Sequence, residues 1–225
     1  NKMKKNFSAT IFLAICLPVI SLGQGTRIWA TYYGGTLFDA GSTICTDASS
    51  GDVYMAGTTL STASIASGGH QNTYGGGGDA FLVKFSAAGA RLWATYYGGP
   101  GDDQGRSITI DASGNVYMAG LTDSPSGIAS GGHQNSYGGG TSDVFLVKFN
   151  SVGVRQWATY YGGTGMEQPG SGNSIATNAS GDVYLAGATG SAASIASGGF
   201  QNTYTSGNDG FFVKFNSAGV RQWAT

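Results

Sequence analysis

Arg27-Ile28-Trp29-Ala30-Thr31-Tyr32-Tyr33-Gly34-Gly35 returns at residues 91–99 and at 155–163, and its first five positions reappear at 221–225. Only the second residue changes, from Ile28 to Leu92, Gln156 and Gln222. The successive spacings are 64, 64 and 66 residues. Other landmarks keep step. Val53-Tyr54-Met55-Ala56-Gly57 matches 116–120 and 183–187, Ile65-Ala66-Ser67-Gly68-Gly69 matches 128–132 and 195–199, and Phe81-Leu82-Val83-Lys84-Phe85 matches 145–149 and 211–215. Self-similarity at this period means stacked supersecondary units, each burying its apolar surface against the next.

The middle unit resolves into four strands. Residues 107–110 run into Asp111-Ala112-Ser113-Gly114-Asn115, residue types that tolerate tight or left-handed backbone, and 116–119 return as the second strand of a hairpin. Residues 144–149 form a third strand and, after the Asn150-Ser151-Val152-Gly153 turn, 154–161 form a fourth. Neither face is polar: Phe145, Val147 and Phe149 point one way and Leu146 the other, while Trp157 and Tyr161 oppose Ala158 and Tyr160. A sheet that is apolar on both faces must be covered on both. Four short antiparallel strands per unit, stacked face to face, predict an all-β fold of β-propeller blades. Propellers usually close with about 4–8 blades, so three repeats read as an incomplete one.

Composition excludes the alternatives. Glycine supplies 40 of 225 residues, Phe, Trp and Tyr 12%, and charged residues only 10%. Four prolines without a Gly-X-Y period exclude collagen, and the aromatic load excludes a disordered linker. A helical bundle fails because glycine costs about 1 kcal/mol at each helix-interior position. Lys2, Lys4 and Lys5 precede an apolar run at 9–22, with Ser21 and Gly23 at the −3 and −1 positions of a cut before Gln24. This reads as a cleavable secretory signal over 1–23. Cys16 lacks the small preceding residue of a lipoprotein site, since Ile15 stands there. The run is shorter than the ~20 residues of a membrane span, so no transmembrane segment is expected. The repeat region is then 24–225, with units at 27–90, 91–154 and 155–220 and the start of another at 221–225. Without the leader, eight basic residues face twelve acidic ones, which disfavours nucleic acid as a partner. Cys45, alone after the leader, allows no intramolecular disulfide.

Three motifs together carry a family resemblance. The Trp-Ala-Thr-Tyr-Tyr-Gly-Gly strand, the Asp-Ala-Ser-Gly-Asn-Val-Tyr hairpin at 111–117 and the Gly-Gly-Gly-Asp-Ala-Phe-Leu-Val-Lys-Phe strand at 76–85 resemble the bacterial SBBP β-propeller repeat, over 27–225. The resemblance implies a propeller fold and a secreted or cell-surface location. It implies no activity, because the family has no general one. Departures are small: a serine is inserted in Ser49-Ser50-Gly51, and Asn178 replaces the turn aspartate of the third unit.

A unique active site would break the repeat with unmatched polar residues. Every tyrosine and tryptophan recurs at equivalent positions, as do ten of twelve acids, among them Asp39/Asp103/Glu167 and Asp79/Asp143/Asp209. Asp102, Arg106 and Asp123 stand outside the pattern, and little else does. No catalytic residue is therefore expected. The enzyme alternative, a propeller glycosidase or lyase, would need unmatched carboxylates at a central cleft. His70 and His133 suggest metal ligands until their third counterpart proves to be Phe200, which points to an aromatic packing position and no metal. Cys45 matches Thr109 and Ala176, a small packing position without a partner base. The Asp-x-x-Gly turns lack the calcium-loop ligand order, and the glycine runs at 75–78 and 98–105 are not followed by P-loop residues. No cofactor is expected.

One feature favours binding over scaffolding. Each unit joins its second and third strands by about twenty residues, and connections beyond ~12–15 residues are often functional. In up-and-down topology this loop shares an end with the connection at 98–105. His70, Gln71, Asn72 and Tyr74, His133, Gln134, Asn135 and Tyr137, and Phe200, Gln201, Asn202 and Tyr204 would then form one rim with Asp103 and its equivalents. An aromatic, amide and carboxylate rim suits a carbohydrate or an extracellular protein ligand. The competing reading is that Gln-Asn-x-Tyr pins each loop to its own unit, in a structural spacer. Residues 27–33 read as an orphan outer strand and the chain as part of a longer one, an open arc with exposed faces and edges. A homo-oligomer that completes the ring is the alternative.

Overall fold

In the computed structural model, which describes residues 27–170 and 172–225, Asp111 closes the first hairpin of the middle repeat. Its Oδ1 accepts the N–H groups of Ser113 and Asn115, both at 2.9 Å, while Gly114 takes a positive φ of 76°. Only glycine adopts that conformation without strain, so an Asp-x-x-Gly run here can do little but turn the chain. The flanking strands are β5 (Asp103–Ile110) and β6 (Val116–Thr122), followed by β7 (Asp143–Phe149) and β8 (Arg155–Tyr161). All neighbours are antiparallel, in the order β5-β6-β7-β8.

The same sheet is built three times. The first holds β1 (Asp39–Thr46), β2 (Val53–Thr59), β3 (Asp79–Phe85) and β4 (Arg91–Tyr97) in chain order. The third holds β11 (Val183–Thr189), β12 (Asp209–Phe215) and β13 (Arg221–Ala224), with its first strand split into β9 (Glu167–Pro169) and β10 (Ile175–Thr177). Both pieces pair with β11, so the extra residues of the third unit interrupt a strand without changing the topology. No helix occurs among the described residues. The leader expected over 1–23 lies outside them.

The first strand is longer than its sequence suggests. β5 starts at Asp103 and carries a bulge between Gly105 and Ser107, and β1 has the same irregularity between Gly41 and Thr43. The bulged residue is the otherwise unmatched Arg106, which is exposed and donates to Gln104 Oε1 at 2.6 Å. Residues 27–33, expected as a strand, are not one. In the later units the equivalent segment pairs with the Phe-x-Val-Lys-Phe strand before it, as β4 does with β3 and β8 with β7. Tyr33 nonetheless packs its ring 5.2 Å from Phe81 and donates to Ile65 O at 2.7 Å.

Alternation along the middle sheet explains the missing polar face. Val116, Met118, Phe145, Val147 and Phe149 join a core with Tyr54, Leu82 and Tyr97 of the first sheet. Tyr117, Ala119, Val144 and Leu146 join a second core with Leu185, Val213 and Phe215 of the third. Each strand feeds one core with its odd and the other with its even positions. At about 1.5–3 kcal/mol per fully buried large side chain, these two cores dominate stability. Polar anchors set the stacking. Trp93 Nε1 donates to Ser151 O at 3.0 Å and Trp157 Nε1 to Ser217 O at 3.0 Å, one sheet further on. Tyr97 and Tyr161 hydroxyls donate to Ile128 O and Ile195 O, each at 2.7 Å. On the third sheet the even-numbered face is open: Phe212 is 41% exposed where Leu82 and Leu146 are fully buried.

Candidate functional site

The long loops are less free than their length implies. In the middle unit Ser130 exchanges two backbone hydrogen bonds with Ala158, both at 2.9 Å, and Tyr160 N donates to Gln134 O at 3.0 Å. The loop thus lies along β8 as a makeshift fifth strand, and Ser67 and Ser197 do the same to Ala94 and Ala224. The edge of each fourth strand is therefore partly covered, and a polar loop removes the liability of unpaired ladder groups.

The Gln-Asn-x-Tyr side chains bond largely within their own loops. Gln134 Nε2 donates to Ser136 O at 3.0 Å and its Oε1 accepts from Gly162 N at 3.2 Å. Asn135 Nδ2 reaches Gly132 O at 3.4 Å, and Tyr137 donates to Gly140 O at 3.1 Å. Gln71 repeats the pattern with Thr73 O and Gly98 N, Asn72 with Gly69 O and Tyr74 with Gly77 O. Gln201 and Asn202 donate to Thr203 O and Gly199 O, and Tyr204 to Gly207 O. His70 and His133 are exposed but lie 6.2 and 6.3 Å from the rings of Phe149 and Phe215 in the next unit, whereas Phe200 at the equivalent third position, expected as a packing aromatic, is almost fully exposed. Partial burial and the neighbouring Arg155 or Arg221 push both imidazoles below their ordinary pKa. Among the described residues no cluster of three His, Cys, Asp or Glu could hold a metal.

Two grooves open beside these loops. One, of about 630 Å³, is lined by His133, Gln134, Asn135, Ser136, Tyr137, Gly138, the turn Gly162-Gly163-Thr164, and Ser194 and Arg221 from the long loop and last strand of the third sheet. The other, of about 490 Å³, brings Gln201, Asn202 and Tyr204 together with Phe200, Asp209 and Phe212. Both fall in the size range of small-ligand sites.

Asp103 does not join them. It was expected on the rim, but it is fully buried at the start of β5. There its Oδ2 accepts from Gly99 N and the Ser124 hydroxyl, each at 2.8 Å, so the carboxylate is consumed in fixing the turn. Opposite it lies Asp79, also fully buried, whose Oδ1 has no hydrogen-bond partner. A β-carbon on Gly98 would sit 2.6 Å from Asp79 Oδ1 and 2.7 Å from Asp103 Oδ2, so the second Tyr-Tyr-Gly position must be glycine for the two carboxyls to share this space. Asp143 and Glu167 repeat the arrangement around Gly162. Burial, reinforced by Asp103 and Glu167 respectively, raises Asp79 and Asp143 to about 7.

Three stacked four-stranded antiparallel units with this repeat have a counterpart. A family model described as the SBBP β-propeller repeat matches residues 92–127, which run from β4 through β5 and β6 into the following loop. The units are β-propeller blades. No curated protein sequence matches the chain. Between blades two and three, Arg221 is the groove residue that sequence reasoning passed over. Discarding repeat-matched charges removes just those groups that a repeated groove uses once per blade junction; the signal was the invariant arginine opening each Arg-x-Trp-Ala-Thr.

Proposed function

We propose that the chain is a non-catalytic β-propeller module of an exported or surface-displayed protein, binding an extended saccharide along the loop face of its blades. The observation that carries this is the groove between blades two and three, which gathers His133, Asn135 and Tyr137 with Arg221 and Ser194 of the next blade. An aromatic ring beside amide, hydroxyl and guanidinium donors is the chemistry that stacks and hydrogen-bonds sugars. The carboxylates weigh against hydrolysis. Asp79 and Asp103, like Asp143 and Glu167, form close pairs, but all four are fully buried and none lines either groove. A glycosidase must bring its pair to the scissile bond. No helix among the described residues is long and apolar enough to cross a membrane.

A glycan-array screen of the folded chain tests the proposal, followed by Asn135→Ala combined with Tyr137→Ala. Lost binding with an unchanged melting temperature supports it. Unchanged binding with a lower melting temperature overturns it in favour of the spacer reading, which draws on the hydrogen bonds these side chains make within their own loop.

A further inference from the structure

Arg221 is half-buried in the lining of the groove between blades two and three, and no carboxylate forms an ion pair with it. The ion pairs among the described residues are Lys84–Asp52 at 3.0 Å and Lys214–Asp182 at 2.8 Å, both elsewhere. A guanidinium carries five N–H donors in a planar fork. Arg221 donates from Nη1 to Ile195 O at 3.1 Å and to Ser194 O at 3.4 Å and also interacts with the Tyr161 hydroxyl, which props the arginine in place and leaves part of the fork for another acceptor. His133 stands close enough to feel the charge of Arg221, and the Thr164 and Ser194 hydroxyls and the Asn135 amide complete a lining rich in donors.

Three acids lie near the groove without forming an ion pair with Arg221: the exposed Asp123, close enough to Tyr137 to raise its pKa, and the buried Glu167 and Asp143. Glu167 is buried beneath the Gly162-Gly163 turn with Oε2 accepting from Gly163 N at 2.8 Å and Oε1 from the Thr189 hydroxyl at 2.6 Å. Asp143 is buried with its Oδ2 held by Gly138 N at 2.7 Å, and its burial favours the neutral acid. A half-buried guanidinium without an ion-pair partner is a site for an anion that arrives with a ligand. The pairing of His70 with Arg155 at the preceding blade junction repeats the electrostatics.

From this we infer that the blade-junction groove selects acidic saccharides, those bearing carboxylate or sulfate groups, with the Arg221 guanidinium as the anion receptor and His133, Asn135, Ser194 and Thr164 around the sugar. The inference rests on the saccharide-binding reading above and narrows its ligand.

Isothermal titration of the whole chain with oligogalacturonate, its methyl ester, dextran sulfate and neutral dextran tests both. Binding of either acidic polymer, with its neutral counterpart at least tenfold weaker, is the expected result; which acid binds tells carboxylate from sulfate. Thr164→Glu places a carboxylate on the exposed wall of the groove, and is expected to weaken acid binding at least tenfold with no change in melting temperature. Arg221→Gln should do the same where it folds, and Arg106→Gln, on the bulge of β5 outside the groove, should leave affinity unchanged. Equal affinity for acid and ester, or an unaltered Thr164→Glu chain, overturns the acidic-ligand inference while leaving saccharide binding in place. If none of the four polymers binds and the glycan array is also blank, both readings fall.

Discussion

Asp143→Asn is the most informative single substitution in the fold. Asp143 is fully buried, with Oδ2 bonded to Gly138 N at 2.7 Å and Oδ1 facing Glu167 across Gly162 without a partner. Burial first, and the charge of Glu167 second, move its carboxyl from the ordinary 3.8 to about 7. In the unfolded chain that carboxyl ionises near its ordinary value, whereas in the fold it keeps its proton to near neutrality. Between those values the unfolded state binds fewer protons, so this group lowers stability as pH rises through the window and adds no further loss above it. The full shift is worth about 4 kcal/mol at 1.36 kcal/mol per pH unit. The polar loop beside the group screens part of it, leaving about 2 kcal/mol. Asparagine keeps the acceptor for Gly138 and does not titrate. The melting temperature of Asp143→Asn relative to the parent should therefore climb between pH 4 and pH 8, by about 4–8 °C for a domain of this size. Differential scanning fluorimetry of both chains across that range measures it. A difference that stays constant with pH would refute the reasoning, since a merely structural effect of the amide would be the same throughout.

Gly162→Ala puts a β-carbon 2.2 Å from Asp143 Oδ1 and 2.7 Å from Glu167 Oε2, and should destabilise by about 1–3 kcal/mol in urea titration. Gly210→Ala, whose nearest atom would be Gly187 O at 3.9 Å and whose counterparts are Ala80 and Val144, should be neutral or stabilising by about 0.5 kcal/mol. Trp157→Phe removes the indole N–H bond to Ser217 O and some packing between blades two and three, costing about 1–2 kcal/mol by the shift in denaturation midpoint. Cys45 is half-buried, packed against the core, and pushed up to about 12 by burial, with Asp47 adding to it. In a Cys16→Ser background its thiol should resist disulfide reagents at pH 8 in the native chain and react at once in denaturant.

The parts of the fold legible in the chain are those set by local chemistry repeated at a fixed interval. Asp111 through Asn115 could only turn, and Phe145, Leu146 and Val147 could only lie between two apolar surfaces, so hairpins, strand count and stacking followed from residue type and spacing. What only the tertiary structure decided is where polar side chains end up relative to the blade surface. Asp103 and Gln134 have the composition of a binding rim, yet Asp103 is buried under a glycine turn and Gln134 clips its loop to β8. Arg221, dismissed as a repeat residue, stands in the groove because the strand that starts with it begins against the loop of the preceding blade. Periodicity dictates which residues are equivalent, since that is a property of the chain alone. Whether an equivalent charge is buried, bonded or open to a ligand depends on the neighbouring blade, and that contact joins residues more than fifty positions apart, as Trp93 and Ser151 are.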